Sequence, residues 1–295
     1  YDILKILPSP IISIITYTYT TYNTSIQTGY YPENWKSGTG IMLHKRGKDT
    51  HSPLSYRPIS LLRCLGKLFE KILTSRLLLF MEDNSLINQW QRAYLRHKEA
   101  NEHIHRLGTQ FRHFKALGWH TSVVLFDVEK AFDSVWHNGL RYKLTNYNIP
   151  KYLLRIISSF LTDRTISVRV SGETSDPVHL EAGTPQGSVL SPILFILYVN
   201  DLPVHPANKI QVSQYADDLA LWTSAPNINY ANIRIRRAIK DLELWCSMWR
   251  IKLNAAKTQL LHSTNRRYVT HLSLHGDRIN PTNPVTLLGI TIDKQ

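Results

Sequence analysis

The chain has 295 residues, 35 Lys plus Arg against 22 Asp plus Glu, and a formal net charge of +13, enough chain for one large or two ordinary domains with a proper core. No apolar run approaches the roughly 18 residues of a membrane span, and the longest candidate, near Ile11 to Ile15, is broken by Ser and Thr, so no membrane-spanning segment is expected. Two cysteines, Cys64 and Cys246, cannot build a disulfide framework or a four-cysteine zinc site, and they point to a reducing, intracellular setting.

The elements follow in chain order. Tyr17 to Tyr22 is a Thr and Tyr cluster with no assigned structure. After Pro58, the positions Leu61, Leu65, Leu68, Phe69, Ile72 and Leu73 keep a helical period and predict a long amphipathic helix from Leu61 to Met81. Val123 to Phe126 is a short buried apolar run. Pro150 opens a helix through Leu154, Ile157 and Leu161, and Ile166, Val168 and Val170 alternate as a strand. Pro192 starts another helix. Ile210 with Val212 and Leu219 with Leu221 are then the arms of a hairpin around Tyr215 to Asp218, before a helix through Ile235, Ile239, Leu242, Cys246 and Trp249. Gln259 to Leu261 reads as a last strand. Helices and strands mixed with an antiparallel hairpin predict an α+β fold.

The charge is uneven along this order: residues 1 to 120 carry +8, residues 121 to 220 carry −2 and residues 221 to 295 carry +7. A solvated basic surface accounts for that pattern, and so does a polyanion-binding protein whose middle block spends carboxylates on cations. Motifs must choose. Asp127 ends an apolar strand, where a buried charge is costly unless paired or bound to a metal. Asp217 and Asp218 are adjacent at a hairpin tip, and a tight turn brings both toward one site; an Asp-Asp pair is also an ordinary turn signal. Three carboxylates from two strand ends suit hard cations such as Mg²⁺, which take oxygen ligands and complete their shell with phosphate oxygens and water. Two such ions about 4 Å apart activate an attacking hydroxyl and hold the leaving oxygen.

Residues 183 to 192 place Gly183, Gly187 and Gln186 just before a helix. The glycines permit close approach of backbone to a ligand and the amide can hydrogen-bond a base or sugar. A plain turn with Ser191 as N-cap accounts for much of the same stretch. The thirteen histidines show no metal-ligand spacing. His103, His105, His113 and His120 read as surface residues of a basic face.

Together, Phe126-Asp127-Val128-Glu129-Lys130-Ala131-Phe132-Asp133, the Gly183 to Pro192 run and Tyr215-Ala216-Asp217-Asp218 resemble, in that order, the reverse transcriptase domain of non-LTR (LINE-type) retrotransposons. The likeness extends upstream to Tyr31-Pro32-Glu33-Asn34-Trp35-Lys36, to Ser55 through Leu62 and to Lys67 through Ile72. Downstream it takes in Leu253-Asn254, Lys257-Thr258 and Leu287-Leu288-Gly289-Ile290, so that roughly residues 12 to 292 are covered. A chance collinear match of so many motifs is negligible.

The resemblance implies a right-hand polymerase: fingers over residues 1 to 115, a palm of antiparallel sheet packed on helices over 116 to 275, and a primer-grip segment over 276 to 295 leading to a missing thumb. It implies an RNA-directed DNA polymerase that uses an RNA template, a DNA primer and dNTPs. Asp127, Asp217 and Asp218 are then the catalytic carboxylates, and with the Val128 carbonyl they hold two Mg²⁺ ions, or Mn²⁺. Phe132 lies under the sugar of the incoming nucleotide and Gln186 with Gly187 lines its binding site. Arg57 contacts the triphosphate and Lys257 protonates pyrophosphate. The starting Tyr1, not a Met, suggests a piece of a longer chain that also carries an endonuclease and works in the nucleus or cytoplasm. In two places the pattern departs: Lys45-Arg46-Gly47-Lys48 stands where Lys-Pro-Gly-Lys is frequent, and Ala93-Tyr94 follows Gln91-Arg92 where Gly-Phe is usual. The alternative is a truncated, nonproductive element copy that binds nucleic acid without turnover. Group II intron and retron enzymes share the palm, and a viral RNA polymerase more often carries Gly before Asp-Asp.

Overall fold

The computed structural model describes residues 8–95, 98–204, 209–264 and 271–293. In chain order its helices and strands are α1 (Ser9–Thr28), β1 (Ser37–His44), β2 (Tyr56–Leu61), α2 (Cys64–Asp83), α3 (Ala100–Ala116), β3 (His120–Phe126), α4 (His137–Asn146), α5 (Lys151–Leu161), β4 (Arg164–Val170), β5 (Glu173–Thr174), β6 (Val178–Leu180), α6 (Ser191–Tyr198), β7 (Gln211–Tyr215), β8 (Asp218–Ala225), α7 (Ile228–Met248), β9 (Gln259–Ser263), β10 (Leu272–Leu274), β11 (Asp277–Ile279), β12 (Val285–Leu287) and β13 (Ile290–Ile292). The fold is α+β, as expected. The chain divides into two compact units: one comprises Tyr1–Leu86 and His137–Leu194, the other Ile87–Trp136 and Phe195–Gln295. Leu107 of α3 already packs with Val123 and Leu125 of β3, which places residues 87 to 115 with the second unit.

In the first unit, β1 pairs antiparallel with β2 and parallel with β4, which in turn carries β5 and β6. The helix expected from Leu61 starts only at Cys64, because Leu61 pairs with Thr39 and the stretch from Tyr56 is an edge strand. Pro58 is tolerated there since an edge strand need not donate on both sides. Phe69, Leu73, Leu77 and Met81 form the buried stripe of α2 at a spacing of four. Phe69 stacks on Tyr22 at 4.9 Å, and Tyr31 meets Phe160 of α5 edge-on at 5.1 Å. These ring geometries are the favoured ones for aromatic pairs.

The second unit is built on a four-stranded antiparallel sheet in the order β7-β8-β3-β9. Every residue of the central strand β3 is buried, since β8 and β9 flank it in the sheet and α3 and α7 pack against it. Such covering on two faces favours a continuous apolar run over an alternating one. The side chains of Val123, Leu125, Trp222 and Leu261 form its core with Leu107, Val285 and Leu287. The helix expected around Ile235 to Trp249 is α7, capped where Asn227 Oδ1 accepts from the Asn229 N–H at 2.9 Å. The segment from residue 276 contributes β11, β12 and β13, which form two short hairpins, β10–β11 and β12–β13; residues 294 and 295 lie outside the described part.

Two of the histidines expected on the surface are inside. His103 is 2% exposed and hydrogen-bonds the Gln214 backbone, and burial first, then the nearby Arg92, lowers its pKa to about 4. His120 is buried and its Nδ1 shares a hydrogen bond with Thr264 Oγ1 at 2.8 Å. Composition cannot separate a solvated histidine from one that fastens two strands. Among the described residues no helix is long and apolar enough to cross a membrane.

Candidate catalytic centre

The register of the second unit places the three carboxylates at one end of its sheet. Phe126 pairs with Leu219 across β3 and β8, so the next residues on each strand, Asp127 and Asp218, stand opposite one another. Tyr215 pairs with Asp218, which leaves Ala216 and Asp217 as the two-residue turn between β7 and β8. Ala216 takes a positive φ of 55°, the conformation such a turn demands and one that a residue with a Cβ adopts at a cost.

Beyond β3 the backbone stays fixed. Val128 bridges Leu253 antiparallel, with the Asn254 N–H donating to the Asp127 carbonyl at 2.9 Å and the Glu129 N–H donating to the Lys252 carbonyl at 2.8 Å. In this pattern the bridge uses the carbonyls on either side of the Val128–Leu253 pair, and the Val128 carbonyl turns away from Leu253. It is therefore free of that ladder and available as a hard oxygen ligand.

Electrostatics at this end favour a cation. Crowding of its carboxyl against the sheet end raises the Asp218 pKa first, and the negative charges of Asp217 and Asp127 raise it further. Those like charges are what a bound cation relieves. Lys257 already supplies one positive charge, its Nζ lying 3.2 Å from Asp127 Oδ2. That exposed pair is readily exchanged, being worth little in water. Among the described residues no three His, Cys, Asp or Glu side chains converge closely enough to enclose an ion. The donor set still fits Mg²⁺, which is bound through one or two carboxylates and fills its octahedron with substrate oxygens and water. Asp127, Asp218 and Lys257 line a cavity of about 80 Å³ with Phe126, Gln259 and Thr286.

Phe132 lies in the turn region after Asp127, half-buried, its ring 4.9 Å from that of Phe195. Gln186, Gly187 and Arg57 belong to the first unit. There the Gln186 carbonyl accepts from the Ser60 N–H at 2.7 Å. Gly187 has φ 115°, and a Cβ on it would stand 2.6 Å from the Ser60 carbonyl oxygen. Only glycine fits so close to a neighbouring strand. Arg57 is exposed on that strand, opposite Leu43.

Two arrangements were not expected from the sequence. The first is Glu70 on α2, fully buried, whose carboxylate accepts from the Ser188 hydroxyl at 2.6 Å, the Val189 N–H at 2.7 Å, the Leu190 N–H at 3.3 Å and the Tyr31 hydroxyl at 3.1 Å. It thus moulds the 183 to 192 loop from within. The second is a strap, Trp90 to Arg92, that pairs parallel with Gln214 of β7: the Gln214 N–H donates to the Trp90 carbonyl at 2.9 Å and the Arg92 N–H to the Gln214 carbonyl at 3.2 Å. Alternation cannot reveal so short a pairing, and the departure at Ala93-Tyr94 was the one signal near it.

Comparison with known proteins agrees with these motifs. A family profile described as reverse transcriptase (RNA-dependent DNA polymerase) matches residues 43–292. The chain is 34% identical to the probable RNA-directed DNA polymerase from transposon BS of Drosophila melanogaster over 99% of its own length and 33% of the relative's. It is 33% identical to the RNA-directed DNA polymerase from mobile element jockey of the same organism, over 93% of this chain and 31% of that one. The chain therefore spans about a third of these relatives' length. Among solved structures, apo telomerase from Candida tropicalis superposes with a TM-score of 0.61 at 14% identity, covering 96% of this chain and 52% of the other; at that identity the likeness speaks for the fold alone.

Proposed function

Because this chain belongs to the reverse transcriptase (RNA-dependent DNA polymerase) family, we propose that it extends a DNA primer on an RNA template with dNTPs, in the service of non-LTR retrotransposition. The observation that carries this reading is the placing of Asp127 opposite Asp218, with Asp217 in the adjoining turn, at one end of a single antiparallel sheet. Enzymes of this family use divalent metal ions. Here Mg²⁺ would be held by Asp127, Asp217, Asp218 and the Val128 carbonyl, and when bound it supplies charge neutralisation at the α-phosphate and a lowered pKa for the attacking hydroxyl.

The protein's own residues do the rest by position and charge. Like-charge repulsion at the sheet end makes it an acceptor for cations rather than a stable resting trio. Lys257 is the cation that stands there in their place, and it is suited to meet the leaving pyrophosphate once displaced from Asp127. Roles for Arg57, Gln186 and Gly187 in substrate binding rest on the motif resemblance, as does a longer protein with an endonuclease that acts in the nucleus or cytoplasm. The nonproductive-copy reading is not favoured, since all three carboxylates keep their places.

Extension of oligo(dT) on poly(rA) with dTTP and Mg²⁺ tests the proposal: template-dependent extension supports it, and its absence under all divalent ions sinks it. In the same assay Phe132→Val examines the sugar contact. A ring beneath the sugar excludes a 2′-hydroxyl by bulk, so the variant should lower discrimination between dTTP and UTP by at least about tenfold. Unaltered discrimination would leave Phe132 as a packing partner of Phe195.

A further inference from the structure

Ala216, the residue before Asp217, has both of its backbone polar groups taken by buried glutamine side chains. Its N–H donates to Gln91 Oε1 at 3.3 Å, and its carbonyl accepts from Gln214 Nε2 at 3.4 Å. Gln91 is 1% exposed and Gln214 is 3% exposed. The same Gln91 oxygen also accepts from the Ala93 N–H at 2.9 Å, so one side-chain atom ties the strap to the catalytic turn. Each glutamine keeps one buried amide atom, Gln91 Nε2 and Gln214 Oε1, without a partner among the described residues. An apolar side chain would avoid that penalty. The amides therefore stand where they do at a cost, and what they secure is a residue at φ 55° that L-amino acids adopt reluctantly.

We propose that Gln91 and Gln214 form a two-sided amide clamp on Ala216, and that both are positioning residues which hold Asp217 and Asp218 in register with Asp127. The clamp explains the place of the strap: Tyr94 next to it feels the charge of Asp217, its phenol pKa being raised first by burial and then by that carboxylate. The proposal rests on the polymerase reading for its functional half, while its structural half stands on hydrogen bonds alone.

The test uses the full 295-residue chain and three variants. Gln91→Met and Gln214→Met keep shape; the first removes the acceptor of both the Ala216 and the Ala93 N–H, the second the donor to the Ala216 carbonyl, and Gln91→Glu keeps the accepting oxygen and so separates loss of the bonds from loss of fold. Amide hydrogen exchange at Ala216 should speed at least tenfold in Gln91→Met and stay within threefold of the parent in Gln91→Glu. In single-turnover extension, Gln91→Met and Gln214→Met should lower the maximal rate tenfold or more with the apparent dNTP affinity unchanged within twofold. Unchanged exchange at Ala216 in Gln91→Met overturns the clamp, whether or not the chain polymerises. Faster exchange with an unchanged maximal rate overturns the positioning role, and a parent chain that exchanges slowly at Ala216 yet never extends a primer overturns the polymerase reading instead.

Discussion

Asp217→Asn is expected to reduce primer extension at least about a thousandfold, equivalent to ~4 kcal/mol of transition-state stabilisation, with no loss of thermal stability. The reasoning is local. Asp217 sits in a two-residue turn, exposed, next to Asp218 and on the same sheet end as Asp127. Its charge contributes to raising the Asp218 pKa, so removing it relieves a repulsion in the folded state and should leave the melting temperature equal or slightly higher. Activity and stability thus move apart. Primer extension and a thermal melt on the same preparation check this, and near-parental extension, or a drop of several degrees with activity lost in parallel, would contradict it.

The second large effect lies in the other unit and is one of stability. Glu70→Ala removes the acceptor of four hydrogen bonds from a site with no solvent exposure. It would leave the Tyr31 and Ser188 hydroxyls and the Val189 N–H short of a partner, and would take a negative charge from the surroundings of buried Arg164. Breaking such a network costs about 3–5 kcal/mol, a large share of the 5–15 kcal/mol that typically holds a protein folded. Glu70→Gln, which keeps an acceptor of the same shape, should cost roughly half as much. Urea denaturation of the three proteins is the check; a loss below about 1 kcal/mol for Glu70→Ala would show that the loop does not depend on this carboxylate.

The aspartates could be read from the sequence because their chemistry constrains residue type and position at once: a charge that ends an apolar run, and a pair in a tight turn. Gly187 was readable for the same kind of reason, since one backbone approach excludes every side chain. Gln91, Gln214 and Glu70 are not, because an amide or carboxylate carries no mark of the carbonyl, hydroxyl or N–H it will meet, and Gln91 and Glu70 meet theirs on distant segments. Glu70 stood only inside the resembling run from Lys67 to Ile72. Leu61 keeps a helical spacing with Leu65 and Leu68, yet its ladder to Thr39 of β1 makes it strand, and the helix that carries Leu65 and Leu68 starts at Cys64. Helix α1 was hidden in a Thr- and Tyr-rich stretch whose residues have weak helix preference. His103 and His120, expected on the surface, are instead buried and bonded within the second unit, to the Gln214 backbone and to Thr264 Oγ1.

Binding of Mn²⁺, followed by loss of the free-ion electron paramagnetic signal, examines most directly whether Asp127, Asp217 and Asp218 form one divalent-ion centre, and it does not depend on turnover. The chain should titrate Mn²⁺ at a site that Asp127→Asn and Asp217→Asn each weaken at least tenfold and that excess Mg²⁺ competes away. Equal Mn²⁺ affinity in the parent and both variants would contradict the assignment.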